Sequence, residues 1–153
     1  VSFTPSARAW SDAGILRFEA VLPIPTFDKN ERLAPNCIRR ESRADGGRLY
    51  FKPNAGLWKL SPAAVQFRAQ LAKLTEDVFP RRPWFVKGIP WTFNFKLYGP
   101  DDVDHHISGL IDDLCAVGLA AGDKGCKRMV AESEDEDNMM LRRIEFTAWQ
   151  GLQ

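Results

Sequence analysis

Cysteine is scarce in this chain, long apolar runs are missing, and neither sign of charge dominates the total. Cys37, Cys115 and Cys126 are odd in number and form no CxxC pair, which argues against a disulfide framework and against a thiolate zinc site. The expectation is a reducing, intracellular setting. The longest apolar run, LCAVGLAA at 114–121, falls far short of the ~20 residues of a membrane span, and VSFTPSARAW lacks the apolar stretch of a secretory signal. What remains is a chain of 153 residues, 44% hydrophobic, enough for one domain that buries about 70% of its unfolded surface.

The net charge of +1 conceals a segregated pattern. Residues 29–59 hold eight basic side chains (Lys29, Arg32, Arg39, Arg40, Arg43, Arg48, Lys52, Lys59) against three acids, whereas acids crowd 101–113 and the run ESEDED at 132–137. Such segregation suggests a polyanionic partner beside an acidic site.

Periodicity predicts the elements. Ile15–Leu22 alternates apolar and polar residues as a strand does, and LPIP at 22–25 ends it, because proline offers no backbone donor. A basic loop over 27–60 follows, with Gly46-Gly47 and Pro53-Asn54 inside it and no clear element. Ser61 before Pro62 reads as a helix N-cap, and Val65, Phe67, Leu71, Leu74 and Val78 supply an apolar face. Trp91–Tyr98 alternates as a second strand, burying Trp91, Phe93, Phe95 and Leu97. Asp104 then caps a second helix along Ile107, Leu110, Ile111, Leu114 and Val117, stopped by Gly118. Segments 126–132 and 141–149 read as two strands, most simply a hairpin joined by the acidic turn. The expected fold class is α+β, a mixed sheet of about four strands with two main helices in the order β-loop-α-β-α-β-β. Residues 1–14 are expected to be a poorly ordered extension, and 15–153 a single domain.

The stretch GPDDVDHHISGLIDDL at 99–114 sets five carboxylates within thirteen residues, Asp101 to Asp113. Asp102 and Asp104, two apart after a strand, share a face if the extended conformation persists, and can present oxygens to one hard cation such as Mg²⁺. Asp123, past the second helix, is the candidate third acid. A purely structural reading competes: Asp104 as a cap, Asp101 as a turn residue, Asp112 and Asp113 as solvated helix-face residues. Adjacent His105 and His106 point about 100° apart on a helix, which disfavours joint coordination.

These residues resemble the RusA family of Holliday-junction resolvases, small dimeric endonucleases that cut four-way DNA junctions with a divalent metal. The likeness rests on Asp102-Val103-Asp104, Asp112-x-Leu114, Gly118 and Asp123 in the family's order and spacing, on LPIP at 22–25, and on the flow of elements from about Ile15 to Trp149. It implies metal-binding and catalytic roles for Asp102, Asp104 and Asp123, Mg²⁺ (or Mn²⁺) as cofactor, and a homodimer on branched DNA in the cytoplasm or nucleoid. The basic loop, through Lys29, Arg32, Arg39, Arg40, Arg43, Arg48 and Lys52, then holds DNA backbone. Where the family motif has Asn and Lys, this chain has His105 and Ser108; His105, Ser108, Asp112 and Lys124 are accessory candidates. The alternative is a catalytically impaired RusA-like module that binds branched DNA or a protein partner without cutting. A DxD glycosyltransferase-like enzyme is a third reading, for which 153 residues leave little room.

Overall fold

The computed structural model describes the backbone of residues 2–42 and 49–151, with side chains in that set outside 35–58. Among the described residues seven strands and two helices follow the order β1 (Ser6–Asp12), β2 (Ile15–Leu22), β3 (Leu33–Ser42), β4 (Leu49–Leu60), α1 (Pro62–Leu74), β5 (Trp91–Tyr98), α2 (Ile107–Val117), β6 (Cys126–Glu134) and β7 (Arg143–Gly151). Short 3₁₀ turns at Val103–His105, Asp123–Gly125 and Met139–Leu141 join them. The architecture is therefore α+β as expected, with more strands.

Five strands form one mixed sheet in the order β1-β2-β7-β5-β6, antiparallel except for the parallel pair β5 and β6. A parallel pair needs a crossover, and α2 supplies it. The crossover puts β6 on the far side of β5, while β7 pairs with β5 at Phe95↔Phe146 and with β2 at Ala20↔Phe146. The expected β6–β7 hairpin is thus corrected: β5 lies between the two strands. The expected disorder of 1–14 is corrected as well, since Ser6–Asp12 pairs along its whole length with β2. Ala13 and Gly14 turn between them at φ 50° and 80°, the left-handed geometry of a tight hairpin.

The basic loop contains a separate antiparallel hairpin, β3–β4, paired from Leu33↔Leu60 to Ser42↔Leu49. Its register shifts between Pro35 and Cys37 and again between Cys37 and Arg39. Those irregularities break the two-residue alternation that announces a strand.

One face of the five-stranded sheet carries the core. Leu16, Phe18, Ala20 and Leu22 of β2, Ile144, Phe146 and Ala148 of β7, and Trp91, Phe93, Phe95 and Leu97 of β5 are buried, together with Phe67 and Leu71 of α1 and Leu110, Leu114 and Val117 of α2. Phe93 stacks on Phe146 with centroids 5.2 Å apart, and Phe18 on Phe79 at 5.3 Å, the offset geometry aromatic rings prefer. Ser61 caps α1 by accepting the Ala64 N–H, and Gly118 ends α2 at φ 125°, both as expected. Val65, expected on the buried face of α1, is exposed; Ala64 takes that position.

Behind the sheet's far end, Gln150 is fully buried and fully bonded. Its Oε1 accepts the Val86 N–H at 2.7 Å, and its Nε2 donates to the carbonyls of Val86 and Ile89 at 3.0 and 2.8 Å. The loop leading into β5 is thereby fastened to β7.

Candidate metal centre

Strand β5 ends at Tyr98, and the Gly99 N–H donates to the Glu134 carbonyl at 2.9 Å. A side chain at Gly99 would meet Ile24 Cδ1 at 3.0 Å, so glycine lets the chain turn against the LPIP segment. Asp102 is extended (φ −76°, ψ 148°), and its carbonyl accepts the His105 N–H at 3.1 Å, closing the 3₁₀ turn. That turn gathers Asp102, Asp104 and His105 so that one ligand atom from each lies within 4.8 Å of the others. Two carboxylates and an imidazole at this spacing can hold a divalent cation; the oxygens suit Mg²⁺ and the added nitrogen also suits Mn²⁺. Both acids are exposed and open to a large substrate.

Asp104 does not cap α2. The N-cap position is His106, with no side-chain capping bond, because the 3₁₀ turn rotates Asp104 outward. There its Oδ2 accepts from Lys29 Nζ at 3.0 Å. This hydrogen bond, with the charge of Lys29 behind it, lowers the Asp104 pKa below the usual carboxylate value. The group therefore presents its charged form to a cation. His106 turns inward, buried, with Nε2 3.1 Å from Asp101 Oδ2. The two imidazole planes stand at 86° with centroids 6.3 Å apart.

Asp123 is not brought to this cluster. Residue 123 precedes β6, whose first residue, Cys126, pairs with Trp91 at the start of β5, whereas Asp102 follows the end of β5. Eight residues of strand, about 23 Å at ~3.3 Å per residue, separate the two ends. Lys124 stays with Asp123 in an open cavity of about 650 Å³ that is also lined by Lys87, Trp91 and Lys127. Ser108 and Asp112 are exposed on α2 and outside the cluster.

Two expectations about charge are corrected. Asp113 is buried, its side chain 1% exposed, and it accepts from Arg32 Nη1 and Nη2 at 3.0 and 2.7 Å and from Arg68 Nε at 2.8 Å. Arg32, expected to grip DNA, is committed to this buried pair, and the hydrogen bond to Asp113 raises its pKa. Gly109 allows it: a Cβ there would lie 3.0 Å from Arg32 Nη1. The signal was in the sequence, since Asp113 falls between Leu110 and Val117 on the apolar stripe of α2, where an acid needs a partner. Arg39, Arg40 and Lys52 belong to the β3–β4 hairpin, with Arg39 and Lys52 as register partners; their side chains, and Arg43 and Arg48 altogether, lie outside the described residues.

A scan of the chain against protein-family models gives no match, and no curated protein aligns with it. No helix among the described residues is long and apolar enough to cross a membrane.

Proposed function

We propose that this protein is a Mg²⁺-dependent, structure-selective DNA endonuclease of the RusA-like type, acting as a homodimer that nicks four-way junctions in pairs. One observation carries the reading: a DxD pair at the open end of a sheet, joined by His105 within ligand distance. When bound, the cation would orient a water and neutralise charge on the phosphate oxygens. Hydrolysis then puts the water oxygen on phosphorus, breaks one P–O bond and returns a proton to the leaving oxygen. Asp102 and Asp104 hold the charge that fixes this arrangement. The basic residues Arg39, Arg40, Arg43, Arg48 and Lys52 of the 27–60 segment contact the DNA backbone, while Lys29 is bound to Asp104.

The separation of Asp123 from the pair is resolved by the second copy. Strand β6 is a sheet edge, bonded to β5 on one side, and its centre exposes Met129 and Val130 at 60% and 42%. Bare apolar edges invite pairing. The sequence CKRMVAESE is self-complementary when two copies run antiparallel about Val130: Arg128 opposes Glu132, Met129 opposes Ala131, and Cys126 opposes Glu134. Opposite charges then meet twice across the axis. The start of the partner's β6, with Asp123, comes to the end of β6 against which the 103–105 turn packs, so the third acid arrives from the other chain.

The test is a synthetic four-way junction incubated with and without Mg²⁺, beside a linear duplex. Symmetric metal-dependent nicks are expected, lost by about 10²-fold or more in Asp102→Asn and Asp104→Asn while junction binding persists. Normal cutting by Asp104→Asn would end the reading. Tight binding without nicks in Mg²⁺ or Mn²⁺ would leave the non-cutting module, which the exposed Ser108 favours.

A further inference from the structure

Phosphoryl transfer needs positive charge on the non-bridging oxygens as well as a metal. Among the described residues, the cation recorded in contact with the acid pair is Lys29, and its ammonium is bound to Asp104 Oδ2 at 3.0 Å. Position 108, the second residue of α2, is a serine. The charge has to come from elsewhere.

We propose that Lys127 of each chain serves the acid pair of the other, donating to a phosphate oxygen of the bound DNA. The inference rests on the nuclease reading and on pairing of the β6 edges. Along β6, Met129, Ala131 and Ser133 are register partners of Phe93, Phe95 and Leu97, whose side chains enter the core. The register shifts between Trp91 and Thr92 and leaves Lys127 as the extra residue of a bulge; it lines one cavity with the core-facing residues Phe85, Trp91 and Ala120, which puts it at the helix-bearing side of the sheet. It is exposed, and no ion pair of Lys127 is recorded among the described residues.

With Val130 on the two-fold axis, Lys127 opposes Ser133 of the second copy. Ser133 is next to Glu134, whose carbonyl holds Gly99, three residues before Asp102. A lysine stem of roughly 6 Å spans one strand spacing of ~4.8 Å with reach to spare. The same rotation carries the open cavity lined by Lys87, Lys124 and Lys127, about 650 Å³ in volume, to the partner's acidic end. A basic recess thus meets an acidic one across each β6 end, and a phosphodiester passing between them finds metal ligands on one chain and ammonium groups on the other. The two surfaces are about 23 Å apart within one chain; the dimer is what joins them.

Paired heterodimers decide the matter. Chains bearing different affinity tags are co-expressed, heterodimers are purified through both tags, and nicking of a four-way junction in Mg²⁺ is compared with wild type. Lys127→Ala homodimers are expected to nick at least about tenfold more slowly, and Lys127→Arg to keep most of the rate. A heterodimer of an Asp102→Asn chain with a Lys127→Ala chain retains one intact site, so about half the wild-type rate is expected. A heterodimer of wild type with the double variant Asp102→Asn/Lys127→Ala retains none, and its rate should fall to about a twentieth of wild type or less. The opposite pattern, a first heterodimer at about a twentieth of the wild-type rate or less and a half-active second, would show that Lys127 acts within its own chain. Wild-type rates in Lys127→Ala would overturn the role altogether. If the wild-type protein itself leaves the junction uncut in Mg²⁺ and Mn²⁺, the nuclease reading fails, and the inference with it.

Discussion

At the scale of single residues, the carboxylates of this chain divide by what faces them. Asp102 and Asp104 are open to solvent, Asp104 with a lysine against it, whereas Asp113, nine residues beyond Asp104, is enclosed by two guanidinium groups. The enclosed one is structural. Arg32 reaches Asp113 from the loop before β3, and Arg68 reaches it from α1, so a single acid on α2 fastens three segments. Removing one partner of a buried pair strands the other, at a cost of roughly 3–5 kcal/mol. Asp113→Ala should therefore lower the urea midpoint severely, and Asp113→Asn less, since the amide keeps the volume and part of the hydrogen bonding. A midpoint unchanged in Asp113→Ala would show that Arg32 and Arg68 find water instead. The fastening also bears on the centre: Lys29, three residues before Arg32, meets Asp104 only while that loop is held. In the sequence, Arg32 looked like one more charge in a basic run, because charge alone does not tell an exposed cation from a paired one. The acid inside the apolar stripe of α2 was the readable clue.

At the scale of elements, most of what was legible came from local chemistry. The Ser61 cap, the alternation of Trp91–Tyr98 and the Gly118 stop depend on neighbours within a turn or a strand, and each appears as expected. Gly118 ties two helices together. Its φ of 125° ends α2, its carbonyl accepts the Trp84 N–H at 2.8 Å, and a Cβ there would lie 2.9 Å from Arg82 Cγ and Cδ. Arg82 in turn donates to the carbonyls of Thr75 and Glu76, at the C-terminal end of α1. Gly118→Ala should thus combine left-handed strain with displacement of Arg82, a loss above about 1 kcal/mol read as a lower urea midpoint. The loss should shrink in an Arg82→Ala background, because the two costs share a contact; equal losses would remove Arg82 from the account. What local chemistry did not carry was pairing. The run of β6, acidic turn and β7 has the pattern of a hairpin, but β5 competes for both strands and wins each. The β3–β4 hairpin escaped notice because its register slips at Pro35 and Cys37.

At the scale of the whole molecule, parallel topology governs what one chain can assemble. A strand pair joined by a crossover helix keeps the residue after the first strand and the residue before the second at opposite ends of the sheet. Asp102 and Asp123 are in that relation, and no spacing in the sequence announces it. The order of acids was legible, while their distance depended on the direction of β6. In the proposed dimer a second chain reverses that direction across the β6 edge, so the proposal makes oligomeric state and catalytic competence one property. Val130 isolates it, since a side chain on the two-fold axis meets its own copy. Val130→Arg sets two like charges face to face, with a repulsion that disfavours the pair by several kcal/mol, yet in a lone chain its side chain stays in solvent on the sheet edge. Light scattering should report a monomer with an unchanged circular dichroism spectrum. That monomer should lack junction nicking and also the rise in Tm expected when Mg²⁺ or Mn²⁺ is added to the wild type, because a ligand stabilises only the state that binds it. A Val130→Arg monomer that nicks and is stabilised by metal would mean that Asp102, Asp104 and His105 suffice within one chain. A Val130→Arg protein that remains dimeric would move the interface away from β6, and Asp123 would lose its route to the centre.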